Sequence, residues 1–216
     1  MTKGVARLKG PSDEEVRLLL VLYKCPVPFH IVRTRLVGVI ASALAVSPIE
    51  EVKRLWGGKL PQCKDIDSLN ELMEVLVMGL WNRLARHQER RVPFRLLRVD
   101  IPLDREGLGR LALTRREELE GFVEGLFGPK EELILPERAY RALDQLSQIR
   151  GFLQAVENGR SEATKRATQT EIASTLITIR TLTGIAEHEM HEAVLSCTRP
   201  RRDMLRELTT KKPTFR

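Results

Sequence analysis

Aromatic residues and cysteines are scarce in this sequence. Phe, Trp and Tyr make up only 5% of the chain, while Leu, Ala, Glu and Arg are abundant, a balance that favours helices over the strands of a β-sandwich. The cysteines, Cys25, Cys63 and Cys197, are odd in number and widely separated. They therefore predict neither a disulfide framework nor a paired zinc site, and they fit a reducing, cytoplasmic compartment.

Long apolar runs and a targeting segment are also absent. The apolar run from Leu18 to Tyr23 is broken by Lys24 and followed by no small-residue cleavage site, so we expect no signal peptide and no membrane insertion. With 42% hydrophobic and 30% charged residues in 216, the chain instead has the composition of a globular protein with one substantial core.

The positive charge is concentrated at the C-terminal end. Residues 199–216 carry seven Lys and Arg against Asp203 and Glu207, which gives 7 − 2 = +5 of the net +7 and leaves +2 for the rest. A nearly balanced body lacks the electrostatic signature of a general nucleic-acid binder. Any nucleic-acid role is therefore expected in this tail.

The stretch from Ser68 to His87 carries the clearest structural pattern. Its apolar residues recur three and four apart, as on one face of an α-helix: Leu69, Leu72, Met73, Leu76, Val77, Leu80, Trp81 and Leu84. Ser68 and Glu71 match a capping box, which predicts that the helix begins at Ser68. This segment is expected to form the central core helix.

Comparable patterns predict further helices along the chain. Ser12 with Glu15 caps the first, and others are predicted from Pro28, from Ser47 and Pro48, from Thr114, from Pro136, and over Ser161 to Ser196. The helical period is lost around residues 90–113, where we expect an irregular segment or a small hairpin. The sequence thus predicts an all-α, multihelical single domain over residues 1–198, followed by a basic tail over 199–216.

Three segments resemble the YecA/YgfB-like family. They are GVIASALAVSPIEEVKRLW (Gly38 to Trp56), LMEVLVMGLWNRLARH with its internal Asn82, and EGFVEGLFG (Glu120 to Gly128). The resemblance implies a helical fold and assigns no catalytic residues. The chain departs from the family where Leu119 and Glu120 replace its usual tryptophan, and Cys197 alone does not reproduce the C-terminal zinc motif of many members.

The segment Glu187 to Glu192 is the sharpest candidate for metal chemistry. Glu187 with His191, and His188 with Glu192, stand four residues apart and would be neighbours on a helix, where two ligands could share a divalent ion. The spacing is not that of a zincin motif. An exposed charged face is the more ordinary interpretation.

Other residues have a functional and a structural interpretation. Trp56, Trp81, Phe122 and Phe127 either mark a partner-binding surface or fill the core. His30 and His87 lie near predicted helix ends, and at the C-terminal end, where His87 lies, a partly positive imidazole suits the helix dipole. In the tail, a partner-binding role falls on Arg199, Arg201, Arg202, Lys211 and Lys212, or else the tail is simply solvated.

No phosphate-binding loop, nucleophile elbow or cysteine with an adjacent base is visible. We therefore expect a non-enzymatic helical adaptor or regulator that acts through protein contacts, including self-association, and needs no cofactor. One alternative is a nucleic-acid-associated regulator that uses the basic tail. Another is a metal-dependent hydrolase that uses the His188 and His191 region.

Overall fold

The computed structural model describes residues 10–42, 46–128, 133–159 and 168–210, the last ten by their backbone only. Every regular element in these residues is helical, which confirms the all-α, multihelical prediction. The elements are α1 (Asp13–Leu22), α2 (Phe29–Ala41), α3 (Pro48–Leu55), α4 (Ile66–Met73), a π-helical segment (Glu74–Trp81), α5 (Asn82–Ala85), a 3-10 turn (Arg86–Gln88), α6 (Arg105–Phe127), α7 (Glu137–Asn158) and α8 (Gln169–Thr210). None of these helices is long and apolar enough to cross a membrane.

The residues group into two compact units. The first comprises Met1–Phe29 and Val46–Arg86, and so contains α1, α3 and the long helix from α4 to α5. The second comprises His30–Ala45 and His87–Arg216, and contains most of α2 with α6, α7 and α8.

The long helix of the first unit begins earlier than the sequence predicts. Its N-cap is Asp65, whose side chain accepts both the backbone N–H of Ser68 at 2.8 Å and the Ser68 hydroxyl at 2.6 Å. Ser68 therefore lies inside the first turn instead of capping it, because the carboxylate three residues before it is the stronger acceptor. The predicted capping box of Ser12 and Glu15 on α1, in contrast, is confirmed.

Four leucines of this helix are buried, and they stand four residues apart. Leu72, Leu76, Leu80 and Leu84 are each at most 2% exposed. On an ideal α-helix this spacing would drift by about 40° at each step, since 3.6 residues complete a turn. The π-helical segment contains Leu76 and Leu80, and its wider turn keeps the stripe facing the core.

The start of α1 packs on the π-helical segment. Gly79 makes room for the ring of Pro11, which a β-carbon there would strike. The Arg83 guanidinium donates to the carbonyl oxygen of Pro11 at 2.6 Å and to the carboxylate of Asp13. At the other end of α1 the Tyr23 hydroxyl donates to the carbonyl oxygen of Ser68 at 3.2 Å. These bonds hold α1 at both ends.

In the second unit, α2 and α6 cross in close contact through glycines. A β-carbon on Gly38 would strike the backbone of Phe122 and Leu126, and one on Gly125 would strike the backbone of Arg35. Close crossings of this kind need small residues because the backbones themselves touch. Gly38 and Gly125 both belong to the segments that resemble the YecA/YgfB-like family.

Helix α6 begins at Arg105, so the prediction of irregular structure up to residue 113 and of a helix start at Thr114 is wrong. Its N-cap is Asp104, whose carboxylate accepts the N–H of Gly107 at 2.6 Å. Gly107 is not a helix breaker; a β-carbon on it would strike the carbonyl oxygen of Pro102. The irregular segment is confined to residues 89–104, without a hairpin, and we call it the strap.

Helix α8 is longer than predicted at its C-terminal end. It continues beyond Ser196 through Pro200 to Thr210, although proline lacks the N–H for one helical bond. The first twelve residues of the predicted tail, 199–210, are thus helical. The predicted start at Ser161 lies outside the described residues.

Candidate functional site

An open apolar groove runs between α6 and α7. It has a volume of about 770 Å³, and its apolar lining consists of Leu119, Val123, Phe127, Tyr140 and Leu143. The two helices are antiparallel. Arg116, near the middle of α6, pairs with Glu157 at the end of α7, whereas Phe127 at the end of α6 lines the same groove as Tyr140 near the start of α7. The groove is large enough for the side chains of a docked element.

Carboxylates form most of the polar rim of this groove. Glu120 lies on α6 between Arg116, at 2.8 Å, and Arg150 of α7, at 3.4 Å. The first pair lies within α6, whereas the second joins α6 to α7. Glu124 pairs with Arg35 of α2 at 3.1 Å and remains 56% exposed.

Tyr140 is held in place at the end of the groove. Its hydroxyl donates to the carbonyl oxygen of Leu133 at 2.8 Å and accepts the N–H of Leu135 at 3.4 Å. The residue is nevertheless 49% exposed. An aromatic side chain that is positioned but uncovered is a typical anchor for a protein partner.

The predicted aromatic surface divides between core and groove. Phe122 is completely buried, which agrees with the structural interpretation, whereas Phe127 lines the groove. Trp56 and Trp81 lie in the first unit, are half-buried, and do not form part of the groove. The sequence indicated Leu143 and Tyr140 only as members of an amphipathic helix.

A network of charged side chains in the second unit holds the strap. Glu187 of α8 accepts the N–H of Leu96 at 2.9 Å and pairs with the Arg95 side chain at 2.6 Å. Glu118 of α6 accepts the N–H of Leu97 at 3.1 Å, while Arg115 donates to the carbonyl oxygen of Leu97 at 2.7 Å. Side chains thus provide the partners that a neighbouring strand would otherwise supply.

Helix α2 also binds the strap. Arg33 donates to the carbonyl oxygen of Arg95 at 3.2 Å and lies 5.3 Å from the ring centre of Phe94. Phe94 is fully buried, and the edge of the His87 ring packs against it at 5.2 Å. The strap is therefore anchored by a buried aromatic ring as well as by hydrogen bonds.

Two ionisable groups next to the strap are buried. Burial raises the pKa of Glu118, although its ion pair with Arg115 and the bond to Leu97 act in the opposite direction. Burial lowers the pKa of His191, partly opposed by the backbone of Arg90. The carboxylate of Glu118 is taken up by the bonds that hold the strap and is not positioned to exchange a proton with a substrate.

The segment Glu187 to Glu192, the candidate for metal binding, does not form a metal site with other described residues. Glu187 is bound to Arg95 and Leu96, and both Glu189 and Glu192 pair with Arg138, at 2.6 and 3.5 Å. His188 is exposed and His191 is buried. Within the described ranges, no group of three or more His, Cys, Asp or Glu side chains could hold a metal ion.

The remaining candidate residues, His30, His87 and Cys197, make contacts that are typical of structural residues. His30 lies 2.8 Å from the carboxylate of Glu117, and His87 contacts the carbonyl oxygen of Val92 at 2.9 Å. Burial raises the pKa of the Cys197 thiol to about 11, which keeps it protonated and unreactive near neutral pH.

The basic tail residues have no common described surface. The exposed Arg199 lies on α8, and Arg201 and Arg202 lie on its helical backbone. Lys211 and Lys212 lie outside the described residues. Nucleic-acid binding through this tail stays a prediction.

Comparisons with family models, with curated proteins and with solved structures find no match for this chain. The resemblance to the YecA/YgfB-like family consequently depends on the three sequence segments alone.

Proposed function

We propose that this chain is a non-enzymatic adaptor or regulator, and that the groove between α6 and α7 binds an amphipathic helix of a protein partner. The observation that carries this proposal is the groove itself. It combines an open apolar floor with a partly exposed, hydrogen-bonded tyrosine, Tyr140. Two antiparallel helices offer a third one the ridges and grooves in which helices pack.

The charges around the groove define the partner further. Among the residues that the structure describes, Glu120, Glu124 and Asp144 line it together with one cation, Arg150. Ion pairs with Arg116, Arg150 and Arg35 neutralise part of this charge, whereas the exposed Asp144 accepts a hydrogen bond from the side-chain amide of Gln148. A helix with an apolar stripe and Lys or Arg along its edges therefore fits better than an acidic one.

A synthetic helical peptide tests this proposal. The probe carries Leu at i, i+3, i+4 and i+7 with Lys elsewhere, and a matched peptide carries Glu in place of Lys. We expect the Lys peptide to bind in fluorescence anisotropy and Leu143→Glu to weaken binding at least about tenfold, because a carboxylate would replace an apolar contact. Ile177→Glu, at a 65% exposed position on α8, is the matched control.

Two results would overturn the proposal. Equal affinity of the Leu143→Glu variant and the unchanged chain would place the peptide elsewhere. Tighter binding of the Glu peptide would show that the carboxylates do not select the partner. Thermal unfolding of both variants verifies that each remains folded.

A further inference from the structure

Helix α1 of the first unit has an apolar face that is open to solvent. It buries Val16, Leu19 and Leu20 on one side, while on the other Leu18 is 60% exposed, Val21 71% and Leu22 70%. Residues i, i+3 and i+4 are neighbours on a helix, so the exposed three form one continuous stripe. Single exposed leucines are ordinary, but a contiguous stripe marks an interaction surface.

Opposite charges stand at the two ends of this stripe. The first turn of α1 is acidic, with Asp13, Glu14 and Glu15. Beyond its last turn, Lys24 and Lys64 line a pocket of about 500 Å³ that also includes Leu22. Along the helix axis the surface therefore carries net negative charge at the first turn, where Arg17 partly offsets the three carboxylates, then the apolar stripe, then positive charge.

We propose that a second copy of this chain docks on α1, with the two α1 helices antiparallel about a two-fold axis. A two-fold interface requires a patch that complements itself, and a pattern of acidic, apolar and basic residues does so only when one copy is reversed. In that arrangement Glu14 faces the partner subunit's Lys24 at each end, and the apolar stripes meet in the middle. A surface that carried charge of only one sign would repel a second copy and would instead fit a molecule of opposite charge.

The local bonds of the charged residues leave this pairing available. Glu14 pairs with Arg17 at 3.0 Å, but both side chains are at least half exposed, and such surface pairs contribute little to stability. Lys24 is the second residue after the end of α1 and is exposed. Exchanging one exposed pair for another costs little, whereas covering three apolar side chains is favourable.

This inference is independent of the proposed groove function, because it concerns other residues in the other unit. A chain that binds the Lys peptide but never dimerises would retain the first proposal and lose the second. A dimer without peptide binding would do the reverse.

Sedimentation velocity of the full chain over a range of concentrations tests the dimer. We expect the mass to double as concentration rises, and Leu22→Glu to raise the dissociation constant at least about tenfold. Leu22 is largely exposed in the single chain, so this variant should fold normally, which its melting temperature verifies. Ile177→Glu serves as the control for a charge placed on an exposed apolar residue.

Charge reversal tests the antiparallel orientation. Glu14→Lys and Lys24→Glu should each weaken the dimer, because like charges then meet at both ends. The double variant Glu14→Lys with Lys24→Glu should recover most of the association, since the reversed pair attracts again. A monomer at every concentration, a Leu22→Glu variant that dimerises normally, or a double variant no better than the singles would overturn the proposal.

Discussion

A β-carbon on Gly38 of α2 would lie only 3.0 Å from the carbonyl carbon of Gly125 on α6. The two helices approach so closely at this point that their backbones touch. The crossing is set by glycine on both sides, and it joins two segments more than eighty residues apart in the sequence.

Gly125→Ala is expected to destabilise the protein. The new methyl group would press on the backbone of Arg35, which cannot move without shifting the whole of α2. Overpacking of this kind typically costs about 1–3 kcal/mol, which exceeds the gain in helix propensity of at most about 1 kcal/mol. Urea unfolding measures the change.

Gly151→Ala on α7 is the matched control for that experiment. Nothing lies within 4 Å of a β-carbon at this position, so only the helix propensity changes. We expect a gain of about 0.5–1 kcal/mol. Equal effects of the two substitutions would contradict the close crossing of α2 and α6.

His191→Gln is expected to remove a loss of stability at mildly acidic pH. Burial lowers the pKa of His191 below its ordinary value of 6.5, whereas Glu192 raises it and both His188 and Arg95 lower it. As pH falls below about 6.5, the unfolded chain therefore takes up a proton that the folded chain does not, and the folded state loses stability until the lowered pKa is passed.

The free energy of unfolding, measured at about pH 7.5 and about pH 5.5, tests this expectation. The difference between the two values should be smaller in His191→Gln than in the unchanged chain. His188→Gln removes an exposed histidine of the same helix and is the control; because burial is the main cause of the His191 shift and His188 only a minor one, it should change the pH dependence much less. The expectation fails if the two variants have the same pH dependence.

Glu187→Ala is expected to loosen the strap. The substitution removes the acceptor of the Leu96 N–H and the partner of Arg95. Leaving a partly buried N–H without its bond costs about 1–3 kcal/mol. Amide exchange at Leu96 should accelerate, and urea unfolding should report the lost stability.

Glu187→Gln separates the hydrogen bond from the charge. An amide oxygen still accepts the Leu96 N–H, so this variant should retain most of the stability that Glu187→Ala loses. Asp100→Ala, which removes an exposed ion pair within the strap, should change stability by no more than about 0.5 kcal/mol. Slow Leu96 exchange in Glu187→Ala would contradict the role of Glu187.

The helices themselves could be predicted because their apolar spacing is a local property. Leu72, Leu76, Leu80 and Leu84 are buried as the pattern of the central helix predicts, whereas the other apolar members of the stripe, Leu69, Met73, Val77 and Trp81, are only partly buried. The helix boundaries were harder. Asp65 and Ser68 are both residue types that favour the N-cap position, and the stronger acceptor, the Asp65 carboxylate, takes it. Gly107 is a residue type typical of turns, but in the structure it lies in a helix, where it allows close packing.

The groove and the strap could not be predicted, because both depend on contacts between distant segments. Leu119 and Leu143 each stand at an ordinary apolar position, and only the packing of α6 against α7 shows that they share an open groove. From the sequence, Glu187 is either a candidate metal ligand or part of an exposed charged face, because its bond to Leu96 spans 91 residues and has no local signature. The sequence shows which residues are charged but does not indicate which distant groups they will bind.

Neighbouring peptide groups of the strap are bonded to different helices, Leu96 to Glu187 of α8 and Leu97 to Glu118 of α6. Consecutive residues of an extended chain are about 3.3–3.6 Å apart along its axis. An axial slide of α8 against α6 by one helical turn, about 5.4 Å, would break one of these bonds. The strap thus ties α6 and α8 together at adjacent residues, so that an axial displacement of one helix past the other carries the cost of a lost hydrogen bond.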